Sequence, residues 1–464
     1  MTTHFVIIGN GAAGYRAAKA LREADADAQV SVFSDERYPF YLRRQLGDFL
    51  SGAMTLQEIV FQSRNAYRRE RIDLFLMTPI TSVDPDAHVV EFASSPPVRY
   101  DRLLLATGTE AVLPAIPGRD LTGVTTFDTL TEAADLRDSL KAVERAVILE
   151  EGVIGLTLAE SLLAAGVHVT QLMAGERFWP EALDETTSAR LEALLEERGV
   201  VLRRQAAARA VIGTAGRCAA VELADGQRLS ADLVACGCRR RPATRLAEAA
   251  AIEVGAGIRV DETLHTSRPD VFAAGDVAEP AGADPAAPAG GAFCWQRAWA
   301  QGATAAASML DQRPQAVAEA VRIRTTLFGL DLAILGQGHL PAGGSVTVRE
   351  HHDGPDIWRR LVYRDDRLVG AVVLGTGESV HELGRLVVEK AARERAEAVL
   401  APPEAAEGDD LVPTTFARHC PICAAELVVH RGTREGAVLR CHACNTDLVV
   451  CWDGRHGWFE IRRP

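Results

Sequence analysis

Three glycines, Gly9, Gly11 and Gly14, follow at once on a short apolar stretch, His4 to Ile8, and open a segment rich in helix formers, Ala12 to Ala24. No other feature narrows the fold as far. A strand that passes through a tight glycine turn into a helix begins a βαβ unit. The first glycine permits the turn. The second lets backbone N–H groups approach a pyrophosphate, and the third lets helix and strand pack closely, so the helix dipole faces the anion. Ala12 and Ala13 complete this cradle. A second strand is expected at Gln29 to Phe33, with Asp35 and Glu36 at its end. Asp35 lies 21 residues after Gly14, where a carboxylate for a ribose hydroxyl belongs.

The pattern returns further on. Arg145 to Leu149, Gly155 to Ala165 and His168 to Met173 read as a second strand, helix and strand, so two Rossmann-like dinucleotide-binding domains are expected in an α/β chain. At 464 residues there is room for more than two domains. Phe293 to Leu310 reads as an Ala-rich helix, Ala281 to Gly290 as a surface loop, and Val321 to Ala398 as a small α+β domain. Ala401 to Thr414 has the composition of a linker. No apolar run reaches the roughly 18 residues of a membrane helix, and Met1 to Asn10 lacks the features of a secretory signal. Fifty Lys and Arg against 63 Asp and Glu leave a net charge of −13, which argues against nucleic acid and anionic lipid as partners. Four of the nine cysteines cluster at the C-terminus, as expected for a metal site in a cytoplasmic protein rather than a disulfide framework.

Two further segments make the chain recognisable: Ala106-Thr107-Gly108 after Leu103-Leu104-Leu105, and Thr266 through Ala274-Gly275-Asp276. With the first glycine motif they resemble the spaced FAD signatures of the pyridine-nucleotide-disulfide oxidoreductase superfamily, over residues 4 to about 395. Tyr38-Pro39-Phe40-Tyr41-Leu42-Arg43, followed by Leu46 and Leu50-Ser51-Gly52, is similar to the branch of rubredoxin reductases, ferredoxin reductases and the flavin part of NADH-dependent nitrite reductase. Arg44-Gln45 departs from the proline usual there. The resemblance implies that Arg43 lies near FAD, that Asp276 holds its ribityl or pyrophosphate side, and that Trp295 lies near the flavin ring. It also implies a discontinuous FAD domain, residues 1–120 with 255–320, an NAD(P)-binding-like domain at 121–254, an interface domain at 321–398 that often forms a homodimer contact, a linker at 399–414 and a terminal module at 415–464.

Two departures from the superfamily matter. There is no cysteine before Cys218, so the Cys-x4-Cys of its disulfide reductases is missing, as is a Cys-x-x-Cys in the second dinucleotide domain. Cys236, Cys238 and Cys294 read as structural. The second glycine motif is also altered. Glu150-Glu151-Gly152-Val153-Ile154-Gly155 puts two carboxylates where a pyrophosphate is expected. One like-charge pair at roughly 4 Å costs about 4 kcal/mol at an effective dielectric of about 20, or about a thousandfold in affinity. Thr157 replaces the branch's glutamate, Leu172-Met173-Ala174 ends without an acid for a ribose, and Arg177 alone is a weak 2′-phosphate site.

Cys420-x2-Cys423 and Cys441-x2-Cys444, separated by 17 residues, have the spacing of a zinc ribbon, in which two knuckles supply four thiolates to one structural ion. A rubredoxin-like iron site uses the same knuckles, but the spacing and aromatic content fit zinc better. His419 and His442 flank the knuckles as solvated residues. Two readings follow. In the first, the chain is an FAD-dependent oxidoreductase that passes electrons from NAD(P)H through FAD to a protein acceptor. In the second, it holds FAD as an electron-transfer or assembly subunit of a larger complex and does not itself oxidise NAD(P)H.

Overall fold

The computed structural model describes residues 2–149, 151–180, 182–236, 240–281, 295–314, 321–340, 342–352, 357–375, 380–398, 416–420, 426–429, 438–441, 447–452 and 457–461. The loop at 282–290, the linker at 401–414, Glu150, Cys238, Cys294, Cys423, His442 and Cys444 lie outside them. Two compact units form: Met1–Ala318 with Arg322–Ile334 and His339–Pro341, and Glu319–Val321 with Leu335–Gly338 and Ala342–Pro464.

The first unit carries both dinucleotide-type sheets. Its principal elements are β1 (His4–Ile8), α1 (Ala12–Ala24), β2 (Gln29–Phe33), α2 (Leu46–Ser51), β3 (Asp73–Phe75), β4 (Arg102–Leu105), β5 (Val124–Thr126), β6 (Arg145–Ile148), α3 (Val153–Ala164), β7 (His168–Leu172), β8 (Val201–Arg203), β9 (Leu233–Cys236), β10 (Val271–Ala273) and α4 (Trp295–Met309).

Strands β10, β4, β1, β2 and β3 form one five-stranded sheet in that order. Every pairing in it is parallel, and Ile8 is in register with both Phe33 and Leu105, as Leu105 is with Ala273. Strands buried on both faces need near-continuous apolar sequence, and Phe5, Val6, Ile7 and Ile8 are all buried. In α1, Ala13, Ala17, Ala18 and Leu21 recur at helical spacing and are buried. The complete burial of Leu21 alone contributes about 2 kcal/mol. Against α1 packs α4, and the approach is close: a Cβ on Gly302 would stand 2.3 Å from the Ala13 carbonyl oxygen.

The second sheet runs β8, β7, β6, β9, β5 and repeats the plan. Its parallel pairings place Ile148 beside Gln171 and Ala235. Both sheets therefore send their strand-end loops to the carboxyl edge, the edge at which open α/β sheets bind ligands. The register explains why β10, 166 residues after Leu105 in sequence, returns to the first sheet.

The second unit contains an antiparallel run of β11 (Val346–His352), β12 (Trp358–Arg364) and β13 (Arg367–Gly375). Among its buried residues is Arg360, whose guanidinium donates to the Gly338 carbonyl at 2.5 Å. At the C-terminus, Phe416–His419 pairs with Glu426–Val429, and Val438–Arg440 pairs with Asp447–Trp452, both antiparallel. A further strand, Gly457–Ile461, pairs with Asp447–Trp452.

Candidate functional site: a dinucleotide cradle at the carboxyl edge of the first sheet

The loop from β1 into α1 is shaped by what its glycines touch. Gly9 has φ +107°, and a Cβ there would stand 2.2 Å from the Ala106 carbonyl oxygen. Gly14 would meet the Gly9 carbonyl at 2.0 Å. These two glycines are needed for backbone contact inside the protein. Gly11 is different. It is the residue before α1, in extended conformation, and an added Cβ would meet no atom within 4 Å. Its open side leaves the helix N-terminus accessible to an anion.

Ala106-Thr107-Gly108 lies against this loop. Ala106 N–H donates to the Ile8 carbonyl at 2.8 Å, and the Thr107 hydroxyl donates to the Ala243 carbonyl at 2.9 Å. Gly108 has φ +65°. The Gly275-Asp276 turn closes the third side. Gly275, at φ +84°, packs on Ala13, and its N–H donates to Gln301 Oε1 of α4 at 2.8 Å. Asp276 is half-buried, 3.5 Å from Arg297. Thus Gly9, Gly11, Ala12, Ala13, Gly14, Ala106, Thr107, Gly108, Gly275 and Asp276 converge on one edge. Beside them the amide nitrogen of Asn10 is buried with no hydrogen-bond partner among the described residues, while its oxygen accepts from the Tyr67 hydroxyl at 2.8 Å. An open glycine at a helix N-terminus, an orphan donor and a half-buried carboxylate fit the pyrophosphate and sugar hydroxyls of FAD.

The acidic pair divides. Asp35 is exposed. Glu36 is held by Arg43 at 2.5 Å and by the Tyr41 hydroxyl at 2.6 Å. Arg43 in turn donates to the Asp128 carbonyl at 2.5 Å and to its carboxylate at 3.1 Å. Asp128 also pairs with Arg240, and both side chains are only 9% exposed. Burial disfavours the Arg43 charge, but Tyr41, Glu36 and Asp128 hold its pKa well above the usual value. The Tyr41 phenol is raised, chiefly by burial. Arg43 is thus a clamp between segments distant in sequence. Asp128 and Arg240 were not legible as part of it, because an isolated Asp and Arg carry no motif.

Trp295 sits in an aromatic cluster, 5.6 Å from Phe40 and 6.2 Å from Trp299, with the Arg44 guanidinium 5.9 Å from its ring. Phe40 stacks on Tyr15 at 4.3 Å. Sequence reading picked out Trp295 and missed these companions.

In the second cradle, the expectation that Glu151 faces a pyrophosphate is corrected. Its carboxylate is drawn to the end of β7, where Oε1 accepts from the Ala174 N–H at 3.0 Å. Thr157 is a packing residue: a Cβ on Gly47 of α2 would lie 2.4 Å from its methyl group. Arg177 donates to the Pro180 carbonyl at 3.5 Å. Cys218 and Cys236 are buried in the core of this region, and burial pushes the Cys218 thiol up to about 11. Cys218 is therefore not a reactive thiolate near neutral pH.

In the terminal module, Cys420 and Cys441 each follow directly on a paired strand and are buried. Among the described residues no three His, Cys, Asp or Glu side chains converge as a metal site, and the partner cysteines Cys423 and Cys444 lie outside those residues. Nor is any helix among them long and apolar enough to cross a membrane.

Two parallel, doubly wound sheets, with a glycine cradle completed by a returning Gly-Asp turn, define a two-dinucleotide-domain flavoprotein. The chain belongs to the pyridine nucleotide-disulphide oxidoreductase family, whose model matches residues 3–319. It is therefore an FAD-dependent oxidoreductase. It is similar to the biphenyl dioxygenase system ferredoxin–NAD(+) reductase component of Paraburkholderia xenovorans, 38% identical over 279 residues, which are 60% of this chain and 68% of that one. A nitrite reductase [NAD(P)H] of Bacillus subtilis is 26% identical over 400 residues; the match takes in 83% of this chain but 47% of the nitrite reductase. Among solved structures, a ferredoxin reductase from Rhodopseudomonas palustris superposes with a TM-score of 0.75 at 25% identity, covering 85% of this chain and 97% of that one.

Proposed function

We infer that this protein takes electrons from NAD(P)H and delivers them through FAD to a small redox protein, of the iron–sulfur or rubredoxin kind. The observation that carries the reading is the convergence of Gly11, Thr107-Gly108 and Gly275-Asp276 on one sheet edge in a chain without a redox-active disulfide. Bound there, FAD supplies the conversion of a two-electron hydride donor into one-electron steps. The chain's own residues do the positioning. The α1 N-terminus and Gly11 receive the pyrophosphate, Asp276 accepts from sugar hydroxyls, and the Arg43–Asp128–Arg240 clamp keeps β5 and the first sheet's loops in fixed relation. With no cysteine before Cys218, the Cys-x4-Cys relay of the family's disulfide reductases has no sulfur atoms to use. The partner is therefore one that accepts electrons directly. The ferredoxin reductase relative supports that acceptor class.

Anaerobic titration of the FAD-loaded protein with NADH and then NADPH tests the reading, and bleaching of the visible flavin band by a nicotinamide is the expected result. If neither bleaches it while dithionite does, the chain is instead an FAD-holding subunit reduced by a partner, the reading favoured by Glu150 in place of the first glycine of the second motif.

The terminal module is read as a zinc ribbon tethered to this flavoprotein. Two antiparallel hairpins, each with a Cys-x-x-Cys between its strands in sequence, are the arrangement in which two knuckles close a tetrahedron. Metal analysis should find about one zinc per chain for the four thiolates. A red protein containing iron would make the module rubredoxin-like, and metal-free protein from zinc-replete cells would refute the site.

A further inference from the structure

The second cradle lacks the acid that normally ends its second strand, yet the structure puts a carboxylate there. The two glycine motifs, set in line, match Gly152 with Gly11, Gly155 with Gly14 and Glu151 with Asn10. The helix starts agree: Tyr15 N–H donates to the Gly11 carbonyl and Leu156 N–H to the Gly152 carbonyl, both at 2.9 Å. The strand ends correspond as well. Asp35 lies two residues after β2, and Ala174 lies two residues after β7. Ala174 is exposed and offers no side-chain acceptor. Its backbone N–H, however, holds Oε1 of Glu151 at 3.0 Å, across 23 residues of sequence. Gly152, at φ +138°, sets the turn from which Glu151 reaches over.

The end of this strand is where an adenosine ribose is read. A carboxylate there accepts the 2′-hydroxyl, and it repels a 2′-phosphate. The nearby cation that sequence alone offered for a 2′-phosphate, Arg177, is turned to the Pro180 carbonyl. We propose that Glu151, supplied by the glycine loop rather than by the strand, is the specificity-determining carboxylate that takes the adenosine ribose of NADH and rejects NADPH. The inference rests on the reading that a nicotinamide dinucleotide reduces this protein.

The experiment is binding of NADH and NADPH to the full-length, FAD-loaded protein, following dissociation constants in the wild type, in Glu151→Ala and in Glu151→Ala/Ala174→Asp. The wild type should favour NADH by about tenfold or more, from one charge repulsion and one hydrogen bond. Glu151→Ala should weaken NADH and strengthen NADPH, erasing that preference. Ala174→Asp in the same chain should restore it by returning a carboxylate to the strand end. An intact flavin spectrum shows that each variant is folded. Equal tightening of both nucleotides in Glu151→Ala would overturn the proposal and make Glu151 a plug over the cradle. An unchanged NADH-to-NADPH ratio would overturn it while leaving the reductase reading in place. Failure of all three proteins to bind either nucleotide would overturn both.

Discussion

Gly11→Glu should yield a protein that folds but does not keep FAD. Gly11 is in extended backbone that any residue adopts, and an added Cβ meets nothing within 4 Å, so the substitution strains neither loop nor helix. The new carboxylate projects into the open side of the cradle at Gly11. There it stands against a pyrophosphate, and a like-charge pair at roughly 4 Å costs about 4 kcal/mol at an effective dielectric of about 20. That is about a thousandfold in affinity. After gel filtration the variant should be colourless, with a far-ultraviolet circular dichroism spectrum like the wild type. A yellow Gly11→Glu protein with an unchanged flavin dissociation constant would mean that the cradle is not at this edge. Gly9→Ala makes the useful contrast. At φ +107°, with a Cβ 2.2 Å from the Ala106 carbonyl, it should disrupt the loop itself and lower the thermal midpoint as well as flavin retention.

Asp128→Asn should destabilise the first unit by about 3 kcal/mol. Asp128 is the anion between two guanidiniums, 3.1 Å from Arg43 and paired with Arg240. Removing its charge while keeping its shape leaves two guanidiniums facing each other across a neutral side chain, and Arg240 is only 9% exposed. Losing one partner from such a pair costs about 3–5 kcal/mol, and the lower end applies because asparagine keeps an acceptor oxygen. The Asp128 backbone carbonyl also goes on accepting from Arg43. The urea midpoint, followed by tryptophan fluorescence on flavin-loaded protein, is the measurement. A midpoint equal to the wild type would show that the clamp is solvated and contributes nothing.

Both predictions turn on how far apart in sequence the interacting groups lie. The first cradle was legible because its parts are local. The strand His4–Ile8, the helix Ala12–Ala24 and the strand Gln29–Phe33 have the bounds that apolar periodicity and glycine spacing suggest. The second βαβ unit was nearly as clear, with β6 ending at Ile148 and α3 starting at Val153 rather than Gly155. Val153 and Ile154 are β-branched and read as strand as readily as helix, which hides the first turn. Trp295 was legible as an aromatic at a recognisable spacing. Its contact with Phe40, which stacks in turn on Tyr15, was not, because those rings come from the loop after β2 and from α1.

The amino-acid sequence by itself determined the two βαβ units, the family signatures, the missing dithiol and the four-cysteine spacing. Each motif among them is a short run of residues, where local steric rules and residue identity act without regard to the rest of the chain. Tertiary structure alone decided where the charges go. Asp128 meets Arg43 across 85 residues, and Glu151 turns from the glycine loop to Ala174 just beyond the neighbouring strand. A carboxylate's partner is whichever donor the fold brings within about 3 Å, and the parallel register of β6 with β7 places that donor at the strand end, a distance no spacing along the chain records.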